Sequence, residues 1–226
     1  MSTCKRPDVE ALESREMPAQ HFIIVDFTPN VSIGAQTLRA FVNTLPPLPD
    51  GRGAGWAKAV IVNRMKTLVE PFGSKVIEGE GKEWLARGIK DPHLLVTVIN
   101  IGGFSAGDSS FGMVAQQAPV GKNIEGNGWV FSASVVNWGW EGRAFCNTVA
   151  ATAVHEVGHL LGLGHNTPSS SLSLMNSIVN TRLDAVIEET PRPMIQYRGD
   201  GTRFITPISA AREWRASLNQ PSTRGF

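Results

Sequence analysis

The stretch VHEVGHLLGLGH, Val154 to His165, holds three of the five histidines in a chain of 226 residues. His155 and His159 are four apart, so a helix carries both imidazoles on one face, one turn above the other. Two ring nitrogens placed that way can meet one metal ion. Glu156 follows His155 directly and stands one step round the helix, beside that ion rather than on it. Zinc lowers the pKa of a bound water toward about 7, and a carboxylate within reach can take the proton. A straight helix cannot bring a third ligand to the same ion. Gly162 solves this, because glycine adopts the left-handed conformation that ends a helix and turns the chain back. His165 then approaches the metal from outside the helix. Three histidines and a water make an open tetrahedral site, the catalytic type rather than the closed structural type. By composition alone, three His, one Glu and one Gly at these offsets arise roughly once in a hundred thousand such chains, so a coincidental helix is set aside.

The elements that must position these residues can be read coarsely. NTVAATAVHEVGHLL is a long helix. HFIIVDF, His21 to Phe27, is apolar and β-branched and reads as a strand. GAQTLRAFVNTL suits a short helix, and the Pro- and Gly-rich LPPLPDGRGAG a loop. Its glycines lack the Lys-Ser/Thr of a phosphate loop. WAKAVIVNRMKTLVEPF sets Ala59, Val60, Val62, Met65, Leu68 and Val69 near helical spacing and stops at Pro71. LLVTVINIGG, Leu94 to Gly103, is a continuous apolar strand covered on both faces. FGMVAQQAP and GWVFSASVVNW read as two further strands. Val179 to Phe204 shows little regular pattern. TPISAAREWRASL reads as a last helix, with Thr206 as cap and Pro207 in its first turn.

Composition bounds the alternatives. Hydrophobic residues are 42% and charged residues 18% of the chain, the balance of a folded protein rather than a disordered one. The formal net charge is +1, which gives no support to nucleic-acid or anionic-membrane binding. No apolar run is long enough to span a membrane. The first eighteen residues lack the apolar core of a secretory signal. Location is therefore left open, extracellular only for a trimmed or non-classically exported form. Cys4 and Cys146 make no disulfide framework.

HEVGHLLGLGH matches the metzincin zinc-peptidase motif H-E-x-x-H-x-x-G-x-x-H at every fixed position, and GLGH is most similar to the matrixins, the matrix metalloproteinase branch. Met175, ten residues after His165 in SLSLMNS, resembles the methionine of the turn that metzincins place beneath their zinc histidines. The strong resemblance covers Asn147 to Ser177. A looser one extends upstream, where GDSSFGMVAQQAPVGKNIEGNGWVFSASVVNW has the rhythm of a Gly-rich loop, a rim strand and an antiparallel strand. The resemblance implies an α/β (α+β) metzincin-type catalytic domain: a twisted mixed sheet with two long helices, and a zinc cleft between a larger N-terminal lobe (19–162) and a smaller irregular C-terminal lobe (163–226). Residues 1–18 are read as a leader, flexible or a latency segment. It further implies a zinc endopeptidase that cuts internal bonds of peptides or proteins, holding one catalytic Zn2+ through His155, His159 and His165. Glu156 is the general base acting on a zinc-bound water, with Gly162 and Met175 in support. Substrate lies along the rim strand at Val114 and Ala115 and in a pocket walled by Ser173, Leu174 and Asn176. The partner is a peptide or protein substrate, with no nucleic acid and no membrane, and the chain is expected as a monomer.

The sequence departs from matrixins at several points. Gln116 stands where a structural-zinc histidine is usual, and WVFSASVVNW lacks a row of carboxylates. No structural zinc is expected and structural calcium is doubtful. Asn166 follows the third histidine in place of Ser or Thr. The single tyrosine, Tyr197, is far from Met175. Cys4, Pro7 and Asp8 share the spacing of the matrixin latency cysteine without its Gly or its preceding Pro-Arg. A thiolate there can take the water's place on zinc. Cys146 is expected to be buried and inert. Two rival readings stand beside the peptidase. GFSAG fits the nucleophile elbow of serine hydrolases, with Ser105 as nucleophile. A non-catalytic, zinc-stabilised peptide-binding module needs no base beside an open metal position.

Overall fold

The computed structural model describes residues 20–29, 32–33, 36–91, 94–103, 111–114, 117–118, 124–137, 139–167, 173–176, 186–189, 191–198, 202–219 and 223–224. Its elements run β1 (Gln20–Asp26), β2 (Ser32–Ile33), β3 (Gln36–Thr37), β4 (Arg39–Ala40), α1 (Ala54–Val69), β5 (Ser74–Glu78), α2 (Gly81–Lys90), β6 (Leu94–Gly103), β7 (Gly112–Val114), β8 (Ile124–Phe131), α3 (Ser132–Asn137), α4 (Gly142–Leu160), β9 (His165–Asn166), β10 (Arg192–Tyr197), β11 (Arg203–Ile208), α5 (Ala210–Leu218) and β12 (Thr223–Arg224). The main sheet has the order β12-β8-β6-β1-β5 with these strands parallel, while β4 and β7 pair antiparallel with β6 and β8. It is a mixed sheet with two long helices.

Chain direction decides which helix covers which face. β1 passes through α1 to β5 on one side, and β5 returns through α2 to β6 on the other side of β1. Right-handed crossovers that step in opposite directions put their helices on opposite faces. Side chains bear this out. Ile23, Val25, Ile99, Ile101 and Val130 pack with residues of α1 and α4. The intervening Ile24, Val96 and Val98 pack with Trp84 and Leu85 of α2. Strand alternation sends the two sets to opposite faces. Every residue of β6 from Leu95 to Gly103 is buried, as its unbroken apolar run requires.

Four local expectations are corrected by tertiary contacts. The buried face of α1 is Ala57, Ile61, Met65, Leu68 and Val69, rotated from the one read in sequence; Ala59 is exposed. The expected helix at GAQTLRAFVNTL is instead β3, β4 and a 3-10 turn over Phe41–Thr44, because β4 pairs with the end of β6 and buried Phe41 donates its N–H to Phe27 O. The strand read through WVFSASVVNW stops at Phe131. There Ser132 donates to Gly102 O (2.7 Å) and contacts Thr44 Oγ1 (2.6 Å), and the chain turns into α3. Finally, Thr206 and Pro207 belong to β11, an edge strand where a proline costs no ladder bond. α5 begins later, capped by Ser209, which accepts from Arg212 N–H. β10 and the first two residues of β11 fall in the stretch that showed no pattern.

α5 is tied to the sheet by a buried polar chain. The Trp214 indole N–H can only donate, so Ser74 Oγ accepts it (2.9 Å). Beyond it, His21 hydrogen-bonds Ser74 Oγ through Nδ1 (2.7 Å) and Thr97 Oγ1 through Nε2 (3.0 Å). Burial holds the His21 pKa down at about 3, so the imidazole is neutral near neutral pH. The unfolded chain therefore binds the proton more readily. The stability contributed by neutral His21 is complete above about pH 6.5 and is lost as pH falls toward 3. At pH 5 the loss amounts to ~2 kcal/mol. We expect His21→Asn to remove about one proton from the uptake on unfolding between pH 4 and 6, measured on metal-free protein from urea titrations at several pH values; an unchanged slope would show that another group sets it.

Candidate active site

α4 is buried along almost its whole length, so its histidines are fixed by packing on all sides. Its end follows the expected glycine turn. Gly162 has φ +84°. Its N–H donates to His159 O (3.1 Å), and Leu163 N–H donates to Gly158 O (2.8 Å). These paired bonds close the helix in a Schellman motif and send the chain back across its own end. Three residues later His165 sits in β9 beside the two helical histidines.

The three Nε2 atoms form a near-equilateral triangle, with 2.9 Å between His155 and His159 and 3.1 Å from each to His165. None of these contacts is a hydrogen bond between the helical pair. His155 Nδ1–H donates to Leu174 O and His159 Nδ1–H to Leu163 O, each at 2.7 Å. A carbonyl only accepts, so both rings carry their proton on Nδ1 and present a lone pair on Nε2. Lone pairs at this distance repel unless a cation lies among them. Nitrogens about 2.05 Å from one tetrahedral ion stand about 3.3 Å apart, so the triangle is the size of a zinc site. Among the described residues, these three form a group that could hold a metal ion. Burial keeps all three imidazoles below their usual pKa, His159 at about 4, with the neighbouring rings adding to the effect on His155 and His159. All three are therefore neutral at neutral pH, the state in which an imidazole can donate a lone pair to a metal ion.

Glu156 is buried next to this triangle, and desolvation pushes its carboxyl up to about 8. A cation on the imidazoles would pull that value back down. Rim strand β7 passes close over the carboxyl. A Cβ on Gly112 would lie 2.5 Å from Glu156 Oε1 and 2.8 Å from Thr152 Cγ2, so only glycine leaves the carboxyl its place. On the other side of the helix, a Cβ on Gly158 would lie 2.6 Å from Met175 Sδ. The methionine is thus packed directly beneath the turn of helix between the two histidines. Its own carbonyl accepts from Asn166 N–H (2.8 Å), which ties the methionine turn to the strand bearing His165.

Sequence reasoning missed the residues that hold His165. β9 pairs with β10 through His165–Ile195 and Asn166–Met194. Fully buried Gln196 reaches from β10 to the glycine turn: with its amide oriented to satisfy both partners, Nε2 donates to Gly162 O (2.8 Å) and Oε1 accepts from Gly164 N–H (3.1 Å). Ser217 of α5 donates to Leu161 O (2.8 Å) at the same helix end. The only signal in sequence was a glutamine in an otherwise apolar run. Of the expected substrate residues, Val114 lies half-buried in β7. Ser173, Leu174 and Asn176 are buried. Ser173 Oγ accepts from Met175 N–H, and Leu174 O holds His155. Leu174 thus orients His155, and Ser173 steadies the turn that carries Met175. Ala115, Gln116, Ser105 and Cys4 lie outside the described residues. Cys146 is buried and its thiol is raised to about 11 by burial, the state of an unreactive core cysteine.

Gln196→Ala removes the clamp without touching a ligand. We expect metal affinity to fall about tenfold or more, the usual effect of losing an outer partner, read by competition with a chromogenic chelator. An unchanged affinity would leave the backbone pairing of β9 as the sufficient restraint.

Three comparisons with known proteins bear on this site. Residues 98–190 match the family model described as Matrixin. No curated protein matches the chain. Among solved structures, archaemetzincin from Methanopyrus kandleri matches with 18% identity and a TM-score of 0.38, over 76% of this chain and 89% of that one.

Proposed function

We propose that this chain, whose residues 98–190 match the Matrixin family model, is a zinc-dependent endopeptidase hydrolysing internal bonds of peptides or proteins. The observation that carries this reading is the triangle of three imidazole nitrogens, with the buried carboxyl of Glu156 on the same helix directly after His155. His155, His159 and His165 would hold the ion, and the site's three-nitrogen donor set is that of catalytic zinc. When bound, zinc supplies Lewis acidity to the scissile carbonyl and acidifies water.

The chain's own residues do the rest. Glu156 takes the proton of the attacking water and passes it to the leaving amine. Burial raises the proton affinity of this carboxyl and a cation on the imidazoles would lower it again, so that it can both take and return a proton. Gly112 keeps the space above that carboxyl clear. β7 pairs with β8 on one side, and an extended peptide would add to its other edge through backbone hydrogen bonds near Val114 and Ala115. Backbone pairing accepts any sequence, so selectivity falls to side-chain contacts. Met175 and Gly162 support the ligands and take no part in proton transfer. Cys4, brought to the open position as a thiolate, would hold the enzyme latent.

Glu156→Gln tests the reading. We expect turnover of a mixed peptide library, read by mass spectrometry, to fall about 10²–10⁴-fold while zinc content stays near one per chain. A variant that cuts as well as the wild type would remove Glu156 from the chemistry. Peptide binding with zinc bound but no cleavage by the wild type would favour the binding module.

A further inference from the structure

The small sheet of β9, β10 and β11 lines up one residue from each strand. His165 pairs with Ile195, and Ile195 pairs with Ile205. Directly opposed residues in antiparallel strands project from the same face. The row His165–Ile195–Ile205 therefore lies on the face from which His165 reaches the metal position. The adjacent row, Asn166–Met194–Thr206, faces the other way, and its first two members are buried. Exposure grades outward along the first row: His165 and Ile195 are half-buried, and Ile205 is 59% exposed, the most exposed large apolar side chain among the described residues.

Such a side chain on an edge strand invites strand pairing unless the edge is blunted. Here it is blunted, since exposed Arg203 and Pro207 flank Ile205 on the same face. What remains is an apolar step that begins beside a metal ligand. Strands are spaced about 4.8 Å apart, so Ile205 stands about 10 Å from His165 across the sheet. An extended peptide covers that distance in about three residues.

We propose that Ile195 and Ile205 form an apolar subsite of the cleft that takes a bulky aliphatic or aromatic substrate side chain within about three residues of the scissile bond. This rests on the endopeptidase reading above. Burying an isoleucine against such a side chain is worth about a tenfold preference over a polar residue at that position.

The test uses the zinc-loaded full chain in two arms. In the first, Glu156→Gln is titrated with labelled, amide-capped peptides that carry Leu, Phe, Ser or Asp at each position in turn, read by fluorescence anisotropy. We expect about tenfold tighter binding with Leu or Phe at one position, and loss of that preference when Ile205→Lys is added. In the second, cleavage profiles of the wild type and Ile205→Lys are compared. The variant should lose about tenfold in kcat/KM on Leu and Phe peptides at equal zinc content and thermal stability. Val42→Lys, at an equally exposed site elsewhere (56%), should change neither. Should Ile205→Lys disturb folding, Ile205→Thr carries the same comparison. The proposal is overturned if binding and cleavage preferences survive the Ile205 variants, or if those variants change only self-association in sedimentation. If the binding preference appears and depends on Ile205 while the wild type cuts nothing, the endopeptidase reading fails and the subsite stands.

Discussion

Two imidazole lone pairs, on His155 and His159, aimed at one point repel each other, and nothing in a folded chain assembles them there without an opposing restraint. In this protein the restraint is a pair of backbone carbonyls. Leu174 O and Leu163 O each hold an Nδ1–H, so the acceptor nitrogens of His155 and His159 can face only the centre. The donor set is organised in advance, and a cation arriving there finds neutral ligands already turned toward it. Everything else around the site can be understood as holding those two carbonyls and the third histidine in place.

The two carbonyls belong to different turns, and each turn is anchored to something larger. Leu163 lies in the glycine turn that closes α4, the most deeply buried helix. Leu174 lies in the methionine turn, whose side chain packs against Gly158 of that helix. Asn166 N–H on Met175 O joins the two. The helix thus supplies two ligands and also the surface against which their orienting partners are set. A shift of the methionine turn would rotate His155 before it changed any distance along the helix.

The C-terminal segment works as a brace. β10 fixes β9 by pairing and fixes the glycine turn through Gln196. α5 donates from Ser217 to the end of α4 and from Trp214 to Ser74 in the sheet. Ala211 N–H bonds Glu188 O, and the Leu174 N–H bonds Val186 O, so the segment 186–189 before β10 is tied both to α5 and to the methionine turn. Hydrogen bonds of this kind are individually modest. Their value here is directional, because they restrain parts of the chain that are far apart in sequence yet meet at one metal position.

By itself the sequence determined the local parts. Spacing of four puts two histidines on one helical face, and a glycine three residues on ends that helix, because both effects depend only on neighbours within a turn or two. The continuous apolar run of β6 likewise declares a strand covered on both faces. Tertiary structure decided the rest. Ser132 leaves its strand to meet Gly102 and Thr44. The segment before Phe41 forsakes helix for pairing with β6. β10 and β11 form from a stretch whose alternation is broken by prolines and by the buried Gln196. The carbonyl that orients His155 comes from nineteen positions away, and what holds His165 and the glycine turn comes from β10, thirty or more positions on. No periodicity records such meetings, since their geometry exists only after the chain has folded.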